Sequence, residues 1–118
     1  MTKAWPSEIK VSKDRRMLSI TFDDSTQFSL PAEMLRVLSP SAEVQGHGPG
    51  QKVTVPGKRN VVIRDIVAAG HYAIRIVFDD GHDSGIFTWT YLRELGENGD
   101  GMFADYLKDL SGKGLSRD

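Results

Sequence analysis

The feature that most constrains this chain is an internal repeat between residues 20–38 and residues 76–95. In both copies an apolar strand pattern runs into a turn containing Asp-Asp, and an apolar helix pattern follows. With one gap in the turn, the matching positions are Ile20, Phe22, Asp23, Asp24, Leu35, Arg36 and Leu38, aligned with Ile76, Phe78, Asp79, Asp80, Leu92, Arg93 and Leu95. The repeat predicts two similar halves in a pseudo-two-fold arrangement.

Apolar and polar residues alternate along several short segments, which predicts antiparallel strands. The predicted strands lie at 7–12, 17–22, 27–30, 62–67 and 72–78, with a brief one at 51–55. In the segment 72–78 the predicted core-facing residues are Tyr72, Ile74, Ile76 and Phe78. Each half therefore begins as a β-hairpin.

Helix signals follow the hairpins. Pro31 suits the first turn of a short helix; Thr88 is a candidate N-cap for a helix at 88–95, and Gly96 would end it. A last amphipathic helix is predicted from Asp100, with the apolar stripe Met102, Phe103, Tyr106, Leu107 and Leu110. The sequence thus predicts an α+β fold of two β-hairpin-plus-helix units, antiparallel strands with helices on one face, and a C-terminal amphipathic helix.

Size and composition narrow the possible classes of protein. With 118 residues, the chain is predicted to be a single domain, 1–118. Its net charge of −1 argues against nucleic acid or anionic membrane as a partner. The sequence has no cysteine, no apolar signal segment and no run long enough to span a membrane. We therefore expect a cytoplasmic protein.

The turn at residues 79–83 combines metal-binding and turn-forming residue types. Asp80, His82 and Asp83 supply carboxylates and an imidazole, whereas Asp-Gly is a common hairpin turn. His82 is the position where this turn departs from the first copy of the repeat. Two interpretations stay open: a structural turn, or a metal site at His82 with Asp80, Asp83 or His47 as further ligands.

Residues 39–60 are rich in turn formers, and a loop of this length is usually functional or mobile. The candidate interaction loop within it consists of Gly46, His47, Gly48, Gly50 and Lys52. Its backbone N–H groups would suit an anion, but the Walker A and dinucleotide patterns are missing. A flexible surface loop is the simpler interpretation.

Motifs for catalysis are absent from the sequence, including H-E-x-x-H and G-x-S-x-G. The four turn carboxylates could form a paired-carboxylate centre, although solvated turn residues are the simpler explanation: Asp23, Asp24, Asp79 and Asp80. Trp89 and Tyr91 are expected to pack in the core, and His71 to be exposed. We therefore assign no catalytic and no cofactor-binding residue.

Two stretches carry a resemblance to a known family. Residues 35–48 contain Leu-Arg-Val-Leu-Ser-Pro-Ser, and residues 78–95 contain Phe-Asp-Asp-Gly-His-Asp-Ser-Gly. Together they resemble the DUF971 family, a domain similar to the N-terminal domain of gamma-butyrobetaine hydroxylase. The resemblance covers about residues 7–98, which leaves a C-terminal helix at 99–111 and a frayed tail at 112–118.

The resemblance implies a metal site and a protein context. In the hydroxylases, three cysteines after the first helix and the histidine of the Asp-Gly-His turn bind a structural zinc. Here the histidine is His82, but Ser39 and Ser41 stand in the cysteine segment, about residues 39–44, so we expect this zinc site to be lost. The hydroxylases carry a separate iron- and 2-oxoglutarate-dependent domain, for which this chain has no room. Relatives are also fused to Mrp-type ATPases with iron–sulfur clusters.

Three functions follow as hypotheses. The first is a stand-alone accessory domain that binds an unidentified protein partner, linked to iron or iron–sulfur proteins. The second is a metal-binding protein that uses His82 for iron, zinc or another divalent ion. The third is a small enzyme of unknown reaction. The sequence leaves the oligomeric state open.

Overall fold

Two three-stranded antiparallel sheets form the β part of the structure, a computed structural model that describes residues 5–45 and 53–118. The first sheet has the order β1 (Pro6–Val11), β2 (Met17–Phe22) and β3 (Gln27–Pro31). The second has the order β4 (Ile63–Ala69), β5 (Ala73–Phe78) and β6 (Ile86–Thr88). The α+β prediction is confirmed, while the short strand β6 was not predicted.

Alternation along the central strands places one face of each sheet in a shared core. Leu18, Ile20 and Phe22 of β2 are buried, and so are Ile74, Ile76 and Phe78 of β5. The prediction that Tyr72 also faces the core is wrong: this side chain is 63% exposed. It belongs to the turn before β5, where Gly70 has a positive φ of 65° and reverses the chain.

Three helices complete the described fold: α1 (Ala32–Val37), α2 (Ala42–Gln45) and α3 (Trp89–Gly112). The predicted N-cap is confirmed, because the Thr88 side chain accepts a hydrogen bond from the N–H of Tyr91 at 3.0 Å. The prediction that Gly96 ends this helix and Asp100 begins another is wrong. α3 runs through both residues, since Gly96 lies under the Phe28 ring and tertiary packing outweighs its low helix propensity.

The predictions for the strand at residues 51–55 and for the C-terminal tail also need correction. Val53–Val55, the described part of the predicted strand at 51–55, is not a strand. The tail is not frayed: the N–H of Arg59 donates to Arg117 O at 3.0 Å, and Arg117 donates to both carboxylate oxygens of Glu33 at 2.7 and 2.5 Å. Among the described residues, no helix could cross a membrane.

Two reciprocal ion pairs relate the halves of the repeat. Arg36 of α1 pairs with Asp80 in the turn of the second half, with Nε and Oδ2 2.7 Å apart. Arg93 of α3 pairs with Asp24 in the turn of the first half, with Nη2 and Oδ2 3.0 Å apart. Because the repeat aligns Arg36 with Arg93 and Asp24 with Asp80, this exchange agrees with the predicted pseudo-two-fold arrangement.

Candidate functional site

His82 lies in the turn between β5 and β6, and backbone hydrogen bonds fix its position. The N–H of Phe78 donates to His82 O at 3.0 Å, and the N–H of His82 donates to Asp80 Oδ1 at 3.0 Å. Gly81 allows the tight reversal with a φ of 90°. The residue is only 5% exposed, so the imidazole is part of the interior.

Two serines from the segment after α1 meet this imidazole. Ser39 Oγ lies 3.0 Å and Ser41 Oγ 3.3 Å from His82 Nε2. The two hydroxyl oxygens are 3.4 Å apart, and both residues are buried. We call Ser39, Ser41 and His82 the hydroxyl–imidazole cluster. Hydroxyls both donate and accept, so either tautomer of the imidazole finds a partner at Nε2.

Neighbouring residues close the hydroxyl–imidazole cluster tightly. The Gln45 side-chain amide donates to Ser39 O at 2.9 Å. Gly85 lies directly against the cluster: a Cβ atom there would come within 3.0 Å of Phe87 Cε1 and still closer to Ser39 Oγ. The close approach of the turn to Ser39 therefore requires glycine at position 85.

Asp80, in the same turn, is the centre of an ionic cluster. Its Oδ2 lies 2.7 Å from Arg36 Nε and 2.5 Å from Lys58 Nζ, and its side chain is 17% exposed. Burial by itself would raise the pKa of this carboxyl, but hydrogen bonds from Lys58, the His82 N–H and Arg36 outweigh burial and lower the pKa to about 2. Asp80 is therefore committed to two cations.

Of the other predicted ligands, only Asp83 lies among the described residues. The Asp83 carboxylate pairs with Arg75 at 3.5 Å. His47 lies outside the described residues, as does the rest of the candidate interaction loop, Gly46, Gly48, Gly50 and Lys52. Across the described ranges 5–45 and 53–118, the structure brings together no group of three or more histidine or acidic residues suited to a metal.

The residues present do not fit the zinc that the family resemblance implies. Zinc in structural sites is bound by thiolates, imidazoles and carboxylates. Ser39 and Ser41 offer neutral hydroxyls, and Asp80 is engaged by Arg36 and Lys58. Among the side chains that the structure describes, those that contact His82 Nε2 are thus two hydroxyls, which are poor zinc ligands.

A serine beside a histidine is also the arrangement of nucleophilic catalysis. Ser39 has no exposed surface, however, so a substrate does not reach its hydroxyl. The turn carboxylates are likewise engaged separately: Asp24 with Arg93, Asp80 with Arg36 and Lys58, and Asp79 with the N–H of Val62 at 3.0 Å. The paired-carboxylate centre that the sequence left as an alternative is not formed by these three residues.

The prediction that Trp89 and Tyr91 pack in the core holds in part. Trp89 and Tyr91 are partly buried and pack against the core. The Trp89 indole N–H donates at 3.0 Å to the carbonyl of His71, which is exposed as predicted. The Tyr91 hydroxyl donates to the carbonyl of Leu38 at the end of α1, and burial raises its pKa to about 12.

A groove that the sequence did not reveal lies between β3, α1 and α3, with a volume of about 300 Å³. Apolar side chains line it, including Phe28, Met34 and Phe103. The ion pair of Glu33 and Arg117 forms its polar wall, and the Arg117 guanidinium lies 5.6 Å from the centre of the Phe103 ring. The terminal segment thus fills part of this groove, because one of its own side chains supplies the cation for Glu33.

Comparisons with known proteins agree with this architecture. Residues 9–93 match the family described as gamma-butyrobetaine hydroxylase-like, N-terminal. A protein solved by NMR in solution is 48% identical, with 99% of this chain and 92% of the other covered and a TM-score of 0.84. A second NMR structure is 42% identical, with 99% and 90% covered and a TM-score of 0.83.

A crystal structure of a protein from Acidithiobacillus ferrooxidans ATCC 23270 is similar as well. That protein, of unknown function and described as a member of the DUF971 family, is 37% identical, with 77% of this chain and 91% of the other covered and a TM-score of 0.64. A search of curated proteins finds no match. On the family match and these identities, the chain belongs to the gamma-butyrobetaine hydroxylase-like N-terminal domain family, DUF971.

Proposed function

We propose that this chain is an accessory domain that binds a partner protein through the outer face of its second sheet. The observation that carries the proposal is a row of three paired residues, Val67 of β4, Arg75 of β5 and Ile86 of β6, which we call the outer row. Val67 is 36% and Ile86 42% exposed. Exposed apolar side chains that flank a cation on a sheet face are typical of an interaction surface.

The first sheet offers an internal comparison for the outer row. The repeat aligns Ile20 with Ile76, so Ser19 is the equivalent of Arg75. Ser19 pairs with Lys10 on one side and Ser29 on the other. The equivalent row of the first sheet is therefore polar, as expected for a sheet face in contact with water. The apolar residues of the outer row are not a requirement of the fold, since the first sheet forms without them.

Charge suggests the chemistry of the partner surface. Arg75 is the cation of the outer row; its Nη1 donates to the Asp83 carbonyl at 3.2 Å and lies 3.5 Å from Oδ2 of the Asp83 carboxylate. The Asp83 side chain is 60% exposed, so water screens this pair. A partner segment with a carboxylate between two apolar side chains would complement Arg75, Val67 and Ile86 together.

The family resemblance suggests which partners to test first. Relatives of the domain are fused to Mrp-type ATPases that carry iron–sulfur clusters, and this domain could bind an ATPase of the same kind by docking. We therefore propose an iron–sulfur protein of this kind as the partner, in the reducing cytoplasm that a chain without cysteine suits.

The test exchanges the outer row for its polar equivalents. In the double variant V67K/I86S, the second sheet carries the residues found at Lys10 and Ser29. We expect its affinity for the purified Mrp-type ATPase of the same organism to be at least about tenfold weaker than that of the native chain, because apolar contacts at the centre of an interface are lost. Isothermal titration calorimetry measures both dissociation constants.

The matched control K10Q/S29T changes the same row of the first sheet and keeps it polar. It should bind like the native chain, and circular dichroism should show that both variants are folded. Equal affinity of V67K/I86S and the native chain would remove the outer row from the interface. No binding by the native chain would instead reject this ATPase as the partner.

A further inference from the structure

We infer that the hydroxyl–imidazole cluster of Ser39, Ser41 and His82 is a metal-independent link that does, in this chain, the structural work of the family's zinc. The starting point is the disagreement between the zinc site that the family implies and the donor set of this chain. At the family's metal position, the chain places two hydroxyls and one imidazole within 3.4 Å of one another.

The hydrogen bonds within the cluster support a complete structure rather than a metal site with missing ligands. Buried polar groups cost free energy unless they are hydrogen-bonded. Here the two hydroxyls bond to His82 Nε2 and to each other. Ser39 Oγ also accepts from the N–H of Ser41 at 3.4 Å. The cluster therefore satisfies its buried oxygens without a bound ion.

Space around the cluster supports the same inference. Gly85 approaches Ser39 Oγ so closely that even a methyl group at position 85 would require a shift. Ser39 has no exposed surface, and Ser41 and His82 are 7% and 5% exposed. The cluster is therefore closed to solvent and packed against the turn backbone, as expected for a structural link in a protein interior.

The cluster joins the two halves of the repeat. Ser39 and Ser41 follow α1 of the first half, and His82 belongs to the turn of the second half. The ion pair of Arg36 with Asp80 connects the same two segments. In the first half, the equivalent turn has Ser25 after Asp23-Asp24 and no histidine, so this link exists only once in the pseudo-two-fold arrangement.

The first test removes the hydroxyls. We expect S39A/S41A to lower the melting temperature by at least about 4 °C, because the two buried hydroxyls that contact His82 Nε2 are lost. Amide hydrogen exchange should accelerate in segments 39–45 and 79–85 while β2 stays protected. The control S29A, an exposed serine of β3, should change neither. A melting temperature within 1 °C of the control would overturn the inference.

The second test measures whether the native chain binds a metal ion. With equimolar Zn(II) or with excess EDTA, the native chain should melt at the same temperature, and its His82 ring signals in NMR should not shift saturably. Saturable one-to-one binding of Zn(II) that H82A abolishes would overturn the inference. If S39A/S41A does not fold, S41A alone removes only the longer of the two hydrogen bonds to His82, and a melting temperature equal to that of S29A would again contradict the link.

Discussion

Replacing Asp80 by alanine is expected to lower the free energy of unfolding by about 3 kcal/mol, the typical cost of breaking a buried ion pair by removing one partner. The side chain of Arg36 is only 11% exposed, and that of Lys58 is 21% exposed. Arg36 Nη1 already has no hydrogen-bond partner among the described residues, so loss of the carboxylate would leave the guanidinium still less compensated. Urea unfolding followed by circular dichroism measures the change.

The repeat supplies a matched control for this substitution. Asp24 occupies the equivalent position and pairs with Arg93, but its side chain is 51% exposed. Solvent screens this pair, so Asp24→Ala should lower the free energy of unfolding much less than Asp80→Ala does. Equal losses for the two variants would contradict the argument, because burial and not pairing alone is taken to set the size of the effect.

The same ionic cluster should make stability depend on pH in the acid range. The folded-state pKa of Asp80 is lowered from 3.8 to about 2. A lowered pKa means that the unfolded chain takes up a proton first, so the contribution is fully present above about pH 5 and is lost as the pH falls towards 2. The stability difference between the native chain and Asp80→Asn should be constant from pH 5 to 7 and shrink below pH 4. A difference that stays constant down to pH 2.5 would refute this assignment.

The sequence predicted the elements whose pattern is local. Alternation at Leu18, Ile20 and Phe22 defined β2 with the observed bounds, because one face of the strand is buried and the other is not. The same rule gave a wrong prediction for Tyr72. Alternation alone does not distinguish an aromatic residue at the end of a strand from one in the adjoining turn. Only Gly70 two positions earlier signalled that turn.

The candidate site was predictable only in part, because its contacts join distant segments. The resemblance indicated that His82 and the segment with Ser39 belong together, and the structure brings them to 3.0 Å. The ionic cluster was missed. The repeat aligned Arg36 with Arg93 and Asp24 with Asp80, but it could not show that each arginine pairs with the turn of the opposite half, 44 and 69 residues away along the chain.

Replacing Gly96 by alanine is expected to destabilise the chain by about 2 kcal/mol, although alanine is the better helix former. A Cβ atom at this position would lie 2.5 and 2.6 Å from Cδ2 and Cδ1 of the Phe28 ring. The ring is partly buried, so it must move as a whole and lose its edge contact with Phe22, whose ring centre is 6.1 Å away. Overpacking therefore outweighs the gain in propensity, which is about 1 kcal/mol.

Gly101 provides the control within the same helix. No atom of the described residues lies within 4 Å of a Cβ atom there, so Gly101→Ala keeps only the propensity gain and should stabilise the chain by about 0.5–1 kcal/mol. Opposite signs for two identical substitutions in α3 would demonstrate that packing against β3, and not a helix end, explains the glycine at position 96. If both variants were stabilised, the Phe28 ring would be able to move aside at little cost in free energy. The close approach of α3 to β3 would then not depend on glycine.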